Sequence, residues 1–122
     1  MADHITYKRG DADDRPWGRW EVLDVGDRHI VKRITVLPGK TLSLQRHQFR
    51  DEHWTIVQGT GTVTLDDEEF EKSYNEAVFI KRGQIHRIAN KTDEVVEFIE
   101  VQTGAQLRED DIERLEDAYG RT

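Results

Sequence analysis

Four side chains of this sequence, Gln45, His47, Glu52 and His86, have the types and spacing to hold a metal ion. The first three stand between Gly39 and Gly59, and His86 stands in the later run Gly83-Gln-Ile-His86-Arg-Ile-Ala-Asn90. A neutral imidazole nitrogen, a carboxylate oxygen and a carboxamide oxygen are sound ligands for a borderline or hard divalent ion. Residues two apart on a strand face the same way, so Gln45 and His47 project together and Arg46 projects away. Glu52 returns to the same centre after a short turn at Gln48 to Asp51, and His86 arrives from the opposite wall. Four ligands from two segments leave coordination positions for substrate or water, as catalytic metal sites require. His4 and His29 stand alone and carry no assignment.

Short strands must position these groups. Trp20–Val25, His29–Leu37, Thr41–His47, His53–Gln58, Thr62–Leu65, Phe70–Tyr74, Ala77–Ile80, His86–Asn90 and Val95–Gln102 read as strands. Turn chemistry separates them at Gly26-Asp27, Pro38-Gly39, Gly59-Thr60-Gly61, Asp66-Asp67, Asn75-Glu76, Arg82-Gly83 and Lys91-Thr92-Asp93. Such spacing predicts an all-β sandwich or barrel. One helix is predicted at the C-terminus. Glu109-Asp110-Asp111 gives an acidic start, Ile112, Leu115 and Tyr119 give one apolar stripe, and Gly120 gives a stop. Residues 1–14 read as an arm, mobile or lying over the body, and residues 15–122 as a single domain.

The chain has 122 residues, enough for one core, and a formal charge of −7. That charge argues against nonspecific nucleic-acid or anionic-membrane binding. It does not exclude an anionic substrate, whose affinity a few convergent cations decide. No apolar run is long enough to span a bilayer, and the first ten residues do not read as a secretory signal. There are no cysteines, which excludes disulfides and thiol catalysis and fits a cytoplasmic protein.

The ligand runs resemble the two motifs of the cupins. Gly39, Gln45-x-His47, Glu52 and Gly59 follow the first motif, with Gln in place of its first His. Gly83, His86 and Asn90 follow the second, with Lys81 in place of its Pro. Further runs narrow the resemblance: Arg15-Pro16-Trp17-Gly18, Arg50-x-Glu52-His53-Trp54, Ile99-Glu100-Val101-Gln102-x-Gly104, and the stretch from Glu109 to Arg121. Together these resemble the type II mannose-6-phosphate isomerase domain, often the C-terminal part of bifunctional mannose-1-phosphate guanylyltransferases. In that family a Gln takes the place of the first metal His. The sequence departs from many members at Gln48-Phe49, where they carry a His-rich stretch.

The resemblance implies a cupin double-stranded β-helix, a jelly-roll barrel, with the C-terminal α-helix over one end or a partner subunit. It implies one divalent ion (Zn, Mn, Co, Ni or Fe) on Gln45, His47, Glu52 and His86. The implied reaction interconverts mannose 6-phosphate and fructose 6-phosphate through an enediol, in a cytoplasmic homodimer. Arg50 is carried over as a catalytic or substrate-anchoring residue, because a guanidinium suits a phosphate or an enediolate and is a poor base. His53 is a candidate acid/base, although strand alternation turns it away from Glu52. Lys32 and Arg33 lie on opposite faces of their strand, so one of them can face the pocket. Two other readings stay open: a noncatalytic sugar-binding or regulatory cupin, and another metal-cupin enzyme such as a dioxygenase.

Overall fold

Alternation of inward apolar and outward polar residues builds the barrel. In a computed structural model that describes residues 4–118 of the chain, eleven strands form two antiparallel sheets. They are β1 (Ala12–Arg15), β2 (Gly18–Val25), β3 (His29–Val36), β4 (Leu44–Arg46), β5 (Asp51–Gln58), β6 (Gly61–Leu65), β7 (Glu68–Lys72), β8 (Ala77–Ile80), β9 (His86–Ala89), β10 (Val96–Thr103) and β11 (Glu113–Glu116). One sheet has the order β1-β2-β3-β10-β5-β8 and the other β11-β4-β9-β6-β7.

The core lies between the sheets. Ile30, Ile34 and Val36 of β3 alternate inward, as do Trp54 and Ile56 of β5, Val63 of β6, Ile88 of β9, and Val96 and Phe98 of β10. Each such side chain contributes roughly 1.5–3 kcal/mol by leaving water. The inward parity of β3 and β10 does not stay apolar. Lys32, Glu100 and Gln102 occupy inward positions and are buried. A polar group on the core side of a strand must find a partner or serve a ligand. These residues therefore mark where the core gives way to a site.

Gly59 has φ +76°, and a Cβ there would meet the Val95 carbonyl oxygen at 2.5 Å, so the β5–β6 connection requires glycine.

The C-terminal segment corrects the sequence expectation. Residues 113–116 form β11, an edge strand on β4, and there is no helix among the described residues from Glu109 onward. Tyr119 and Gly120, the end of the expected helix, lie outside the described residues. The acidic start and apolar stripe are worth tenths of a kcal/mol to a helix, whereas pairing satisfies the open edge of β4. The pairing is reinforced across strands by Arg46 Nε to Glu113 Oε1 at 2.8 Å.

The N-terminal segment lies over the body. Ile5 bridges Leu107, Tyr7 is buried edge-on against Trp20, and β1 pairs with β2.

Candidate metal centre and its pocket

His47, Glu52 and His86 come together at one point, with a ligand atom of each within 4.8 Å of the others, and all three are buried. Glu52 projects inward from β5. His86 opens β9, and its Cα register partner on β4 is Gln45. His47 follows β4 directly. The two histidine-bearing turns are joined where Gly83 N donates to His47 O at 2.8 Å. Arg82 N donates to Asp51 Oδ1 at 2.7 Å, which ties the second turn to the start of β5.

Backbone carbonyls orient both imidazoles. His47 Nδ1 lies 2.7 Å from Asp111 O and His86 Nδ1 lies 3.0 Å from Gln84 O. A carbonyl oxygen only accepts, so each Nδ1 carries the proton and each Nε2 keeps its lone pair. Both Nε2 atoms face Glu52, His47 at 3.1 Å from Oε2 and His86 at 3.8 Å from Oε1. Two neutral nitrogens and a carboxylate directed at one centre, with the rear nitrogens held by carbonyls, are the donor set and supporting shell of a divalent-metal site. The residues present therefore fit the ion that the sequence implies.

Gln45 stands beside this cluster, across from His86 in register. Its Nε2 donates to Ser43 O at 3.2 Å and Ser43 Oγ at 3.0 Å. That fixes the amide orientation and leaves Oε1 as the atom able to ligate. Gln45 lines the same pocket as Glu52 and His86.

Arg50 is buried beside this cluster. Its Nε donates to Glu52 Oε2 at 2.8 Å, its Nη2 to His47 Nε2 at 3.2 Å, and its Nη1 to Arg108 O at 3.4 Å. Trp54 Nε1 donates to Glu52 Oε1 at 3.0 Å. Burial alone would raise the Glu52 carboxyl, but His47 and His86 whenever they carry a second proton, and the Arg50 guanidinium throughout, outweigh it and hold that carboxyl well below the usual range. Burial would also lower the Arg50 guanidinium, and Glu52 chiefly reverses this, so it stays protonated. His86 is pushed down to about 4, by burial first and by His47 and Arg50 next, against the pull of Glu52.

The structure does not bring His53 to this site. His53 alternates to the outer face of β5, exposed, and stacks on Phe79 at 4.5 Å between ring centroids. Gln48 and Phe49 serve through their backbone: their N–H groups donate to Asp111 Oδ1 and Oδ2 at 2.8 and 2.9 Å.

Sequence reasoning missed Glu100. It lines the pocket with Tyr7, Trp20, Lys32, Gln45 and Arg50. Lys32, its Cα register partner on β3, is the inward member of the Lys32–Arg33 pair and sits 4.1 Å from the Tyr7 ring centroid and 4.6 Å from that of Trp20. Gln102 Nε2 donates to Glu100 Oε2 at 2.7 Å. Burial, and then the charge of Glu52, push the Glu100 carboxyl up to about 7, against Lys32, Arg50 and the Gln102 hydrogen bond. The signal was available: in Val96-Glu-Phe98-Ile-Glu100-Val-Gln102, a carboxylate and an amide share the parity of the two core residues.

Residues 3–117 match the family described as mannose-6-phosphate isomerase C-terminal. The chain is 53% identical over 108 residues to the alginate biosynthesis protein AlgA of Pseudomonas aeruginosa, covering 88% of this chain and 22% of that protein. It is 52% identical over 108 residues to the xanthan biosynthesis protein XanB of Xanthomonas campestris pv. campestris, covering 88% of this chain and 23% of that protein. It is 46% identical over 107 residues to a mannose-1-phosphate guanylyltransferase of Escherichia coli, covering 88% and 22%. The chain thus spans about a fifth of the length of these curated relatives. Among solved structures, KdgF from Halomonas sp. superposes with a TM-score of 0.73 at 19% identity, over 83% of this chain and 89% of that one. An oxalate decarboxylase from Lactobacillus farciminis gives 0.75 at 20% identity, over 86% and 33%. At those identities the likeness establishes the barrel fold.

Proposed function

This chain belongs to the mannose-6-phosphate isomerase C-terminal family, and from that membership we propose that it is a metal-dependent aldose–ketose isomerase acting on mannose 6-phosphate. The observation that carries the proposal is the convergence of His47 Nε2, His86 Nε2 and the Glu52 carboxylate on one buried point beside a cationic pocket. Gln45, His47, Glu52 and His86 would hold the ion. When bound, it supplies positive charge to the oxygens of an enediolate, the charge that isomerisation must stabilise.

The chain's own residues do the rest. The backbone carbonyls of Asp111 and Gln84 keep both histidines in the ligating tautomer. Arg50, permanently charged, suits a phosphate or an enediolate oxygen. Trp17, Trp20 and Trp54 line the same pocket and restrict water around the reacting carbons. A cytoplasmic setting and a homodimer belong to the same family reading. The names of the relatives, for alginate and xanthan biosynthesis, support a product that feeds polysaccharide precursor supply.

The test is a coupled assay of purified protein with mannose 6-phosphate and added Mn²⁺, Co²⁺, Ni²⁺ or Zn²⁺. Formation of fructose 6-phosphate is the expected result. No conversion with any of these ions overturns the proposal.

A further inference from the structure

An isomerase needs a group that takes a proton from one carbon and returns it to the next. Arg50 stays charged, His47 and His86 direct their Nε2 atoms at Glu52, and His53 faces outward. Glu100 is an inward carboxylate whose Oε2 accepts from the Gln102 amide, whereas Glu52 accepts from the Arg50 guanidinium.

Resting on the isomerase reading, we propose that Glu100 carries the proton between C2 and C1 of the bound aldose phosphate, and that Lys32 moves the second proton between its oxygens. The two residues are Cα partners across β3 and β10, with side chains on the pocket face. The Lys32 ammonium is held by the faces of Tyr7 and Trp20. Ring faces attract the cation without taking its N–H groups as carbonyls do, which leaves donors for a substrate oxygen.

Gln102 fits a partner that changes protonation. Its Nε2 donates to the Glu100 carboxylate, while its Oε1 is buried without a hydrogen-bond partner. Turning the amide over presents Oε1 to a protonated Glu100, so one side chain serves both states. The groups facing Glu100 are Lys32 from β3, Glu52 from β5 and Arg50 from the turn before it, with His86 across the pocket on β9. Their balance, with burial dominant, brings the carboxyl to about 7, where both states are populated near neutrality.

The steps balance. The Glu100 carboxylate takes the C2 proton. The C2–H electron pair becomes the C1–C2 double bond, and the carbonyl pair moves to O1, which takes a proton from Lys32. The resulting enediol loses its O2 proton to the Lys32 amine as the C2 carbonyl forms, and C1 takes the proton back from Glu100. Both side chains end as they began.

The test is Glu100→Gln in the full chain. The expected outcome is a kcat lower by roughly 10²–10⁴-fold, with KM within a few-fold and the thermal shift given by Mn²⁺ retained. Any limb of the kcat/KM profile that reports this carboxyl disappears with it. A second readout needs no turnover. A carboxyl raised in the folded state makes that state bind more protons than the unfolded chain between about pH 4.3 and 7, so it costs stability above this window. Metal-free E100Q is therefore expected to gain more in Tm over wild type at pH 8 than at pH 5. An E100Q protein with wild-type kcat overturns the role of Glu100 and leaves the isomerase reading standing. A wild-type chain that leaves mannose 6-phosphate unchanged overturns both. If E100Q does not fold, Glu100→Asp is expected to keep the pH limb with kcat lower by more than about ten-fold; a wild-type rate there overturns the proposal.

Discussion

The guanidinium of Arg50 donates to Nε2 of His47 at 3.2 Å, the nitrogen whose lone pair a metal would need. A neutral imidazole has one such lone pair, so Arg50 and an ion cannot both hold it. The same guanidinium also bonds Glu52 Oε2 at 2.8 Å. Arg50 thus serves as the counter-cation of the metal-free cluster, and ion binding frees its Nη2 for the pocket.

Arg50→Met tests this exchange. A hydrogen bond to a charged group is worth about 1.5–3 kcal/mol, and removing one partner of a buried pair costs about 3–5 kcal/mol. The metal-free variant is expected to be less stable by that order, read by urea unfolding. Its affinity for Mn²⁺ or Zn²⁺ is expected to rise by roughly ten-fold or more, read by calorimetry, since about 1.4 kcal/mol corresponds to ten-fold. Turnover is expected to fall. A variant that binds metal more weakly than wild type would rule out the competition.

Asp111 holds the loop from which His47 projects. Its carboxylate accepts from Gln48 N and Phe49 N, and its carbonyl accepts from His47 Nδ1. Asp111→Ala keeps the carbonyl and removes the carboxylate. Expected losses are about 1–2 kcal/mol of stability and roughly ten-fold in metal affinity, the scale seen when supporting partners of metal ligands are removed. Unchanged metal binding and stability would show that the loop is held by other contacts. The side chains of Gln48 and Phe49 are a different matter. The loop is fixed through their backbone, so a departure there from a His-rich pattern leaves the placement of His47 intact.

The convergence of His47, Glu52 and His86 was legible because its signal is local: the spacing from β4 to β5 and a glycine before β9 determine where these side chains point. Most strands were legible for the same reason, since alternation is written into consecutive residues. What was lost depends on distant partners. Residues Ala12–Arg15 carry three charged side chains and no alternation, yet they pair with β2 as an edge strand, with Arg19 bonding Asp14 at 2.9 Å. Residues 113–116 carry a helix-like stripe, yet the unpaired edge of β4 decides their conformation. Glu100 lay between these cases. Its inward parity was local, but its meaning came from Lys32 and Glu52, which lie on other strands.

His53→Ala separates sequence adjacency from site membership. The ring stacks on Phe79 on the outer face, one residue from a ligand in sequence and on the far side of the sheet in space. Such a contact is worth about 0.5–1.5 kcal/mol. The variant is expected to lose stability on that scale while kcat and KM stay within two-fold or so of wild type. A kcat reduced ten-fold or more would return His53 to the acid/base role.

His86 sets the acid limit of the metal-free fold. Its folded value is about 4, against about 6.5 in an unfolded chain. Below about pH 6.5 this ring takes up a proton in the unfolded state and not in the folded one, so its own contribution to stability falls as pH falls to about 4, opposed between about pH 7 and 4.3 by the raised Glu100 carboxyl. The gap of 2.5 between those two values corresponds to a loss on the order of 3 kcal/mol across that window. Glu52 acts in the same direction and at lower pH, because its carboxyl is held down by His47 and Arg50 and must be protonated as the fold is lost. Urea unfolding of metal-free protein at pH 7, 5.5 and 4.5 measures the slope. His86→Gln removes the titrating ring and is expected to turn the change between about pH 6.5 and 4.5 toward higher stability at lower pH relative to wild type, because the opposing Glu100 contribution remains. An equally steep curve in that variant would place the acid sensitivity elsewhere. Added Zn²⁺ is expected to steepen the wild-type loss, because protons then compete with the ion for the same Nε2, whereas in H86Q the ion lacks that ligand and gives a smaller gain at every pH.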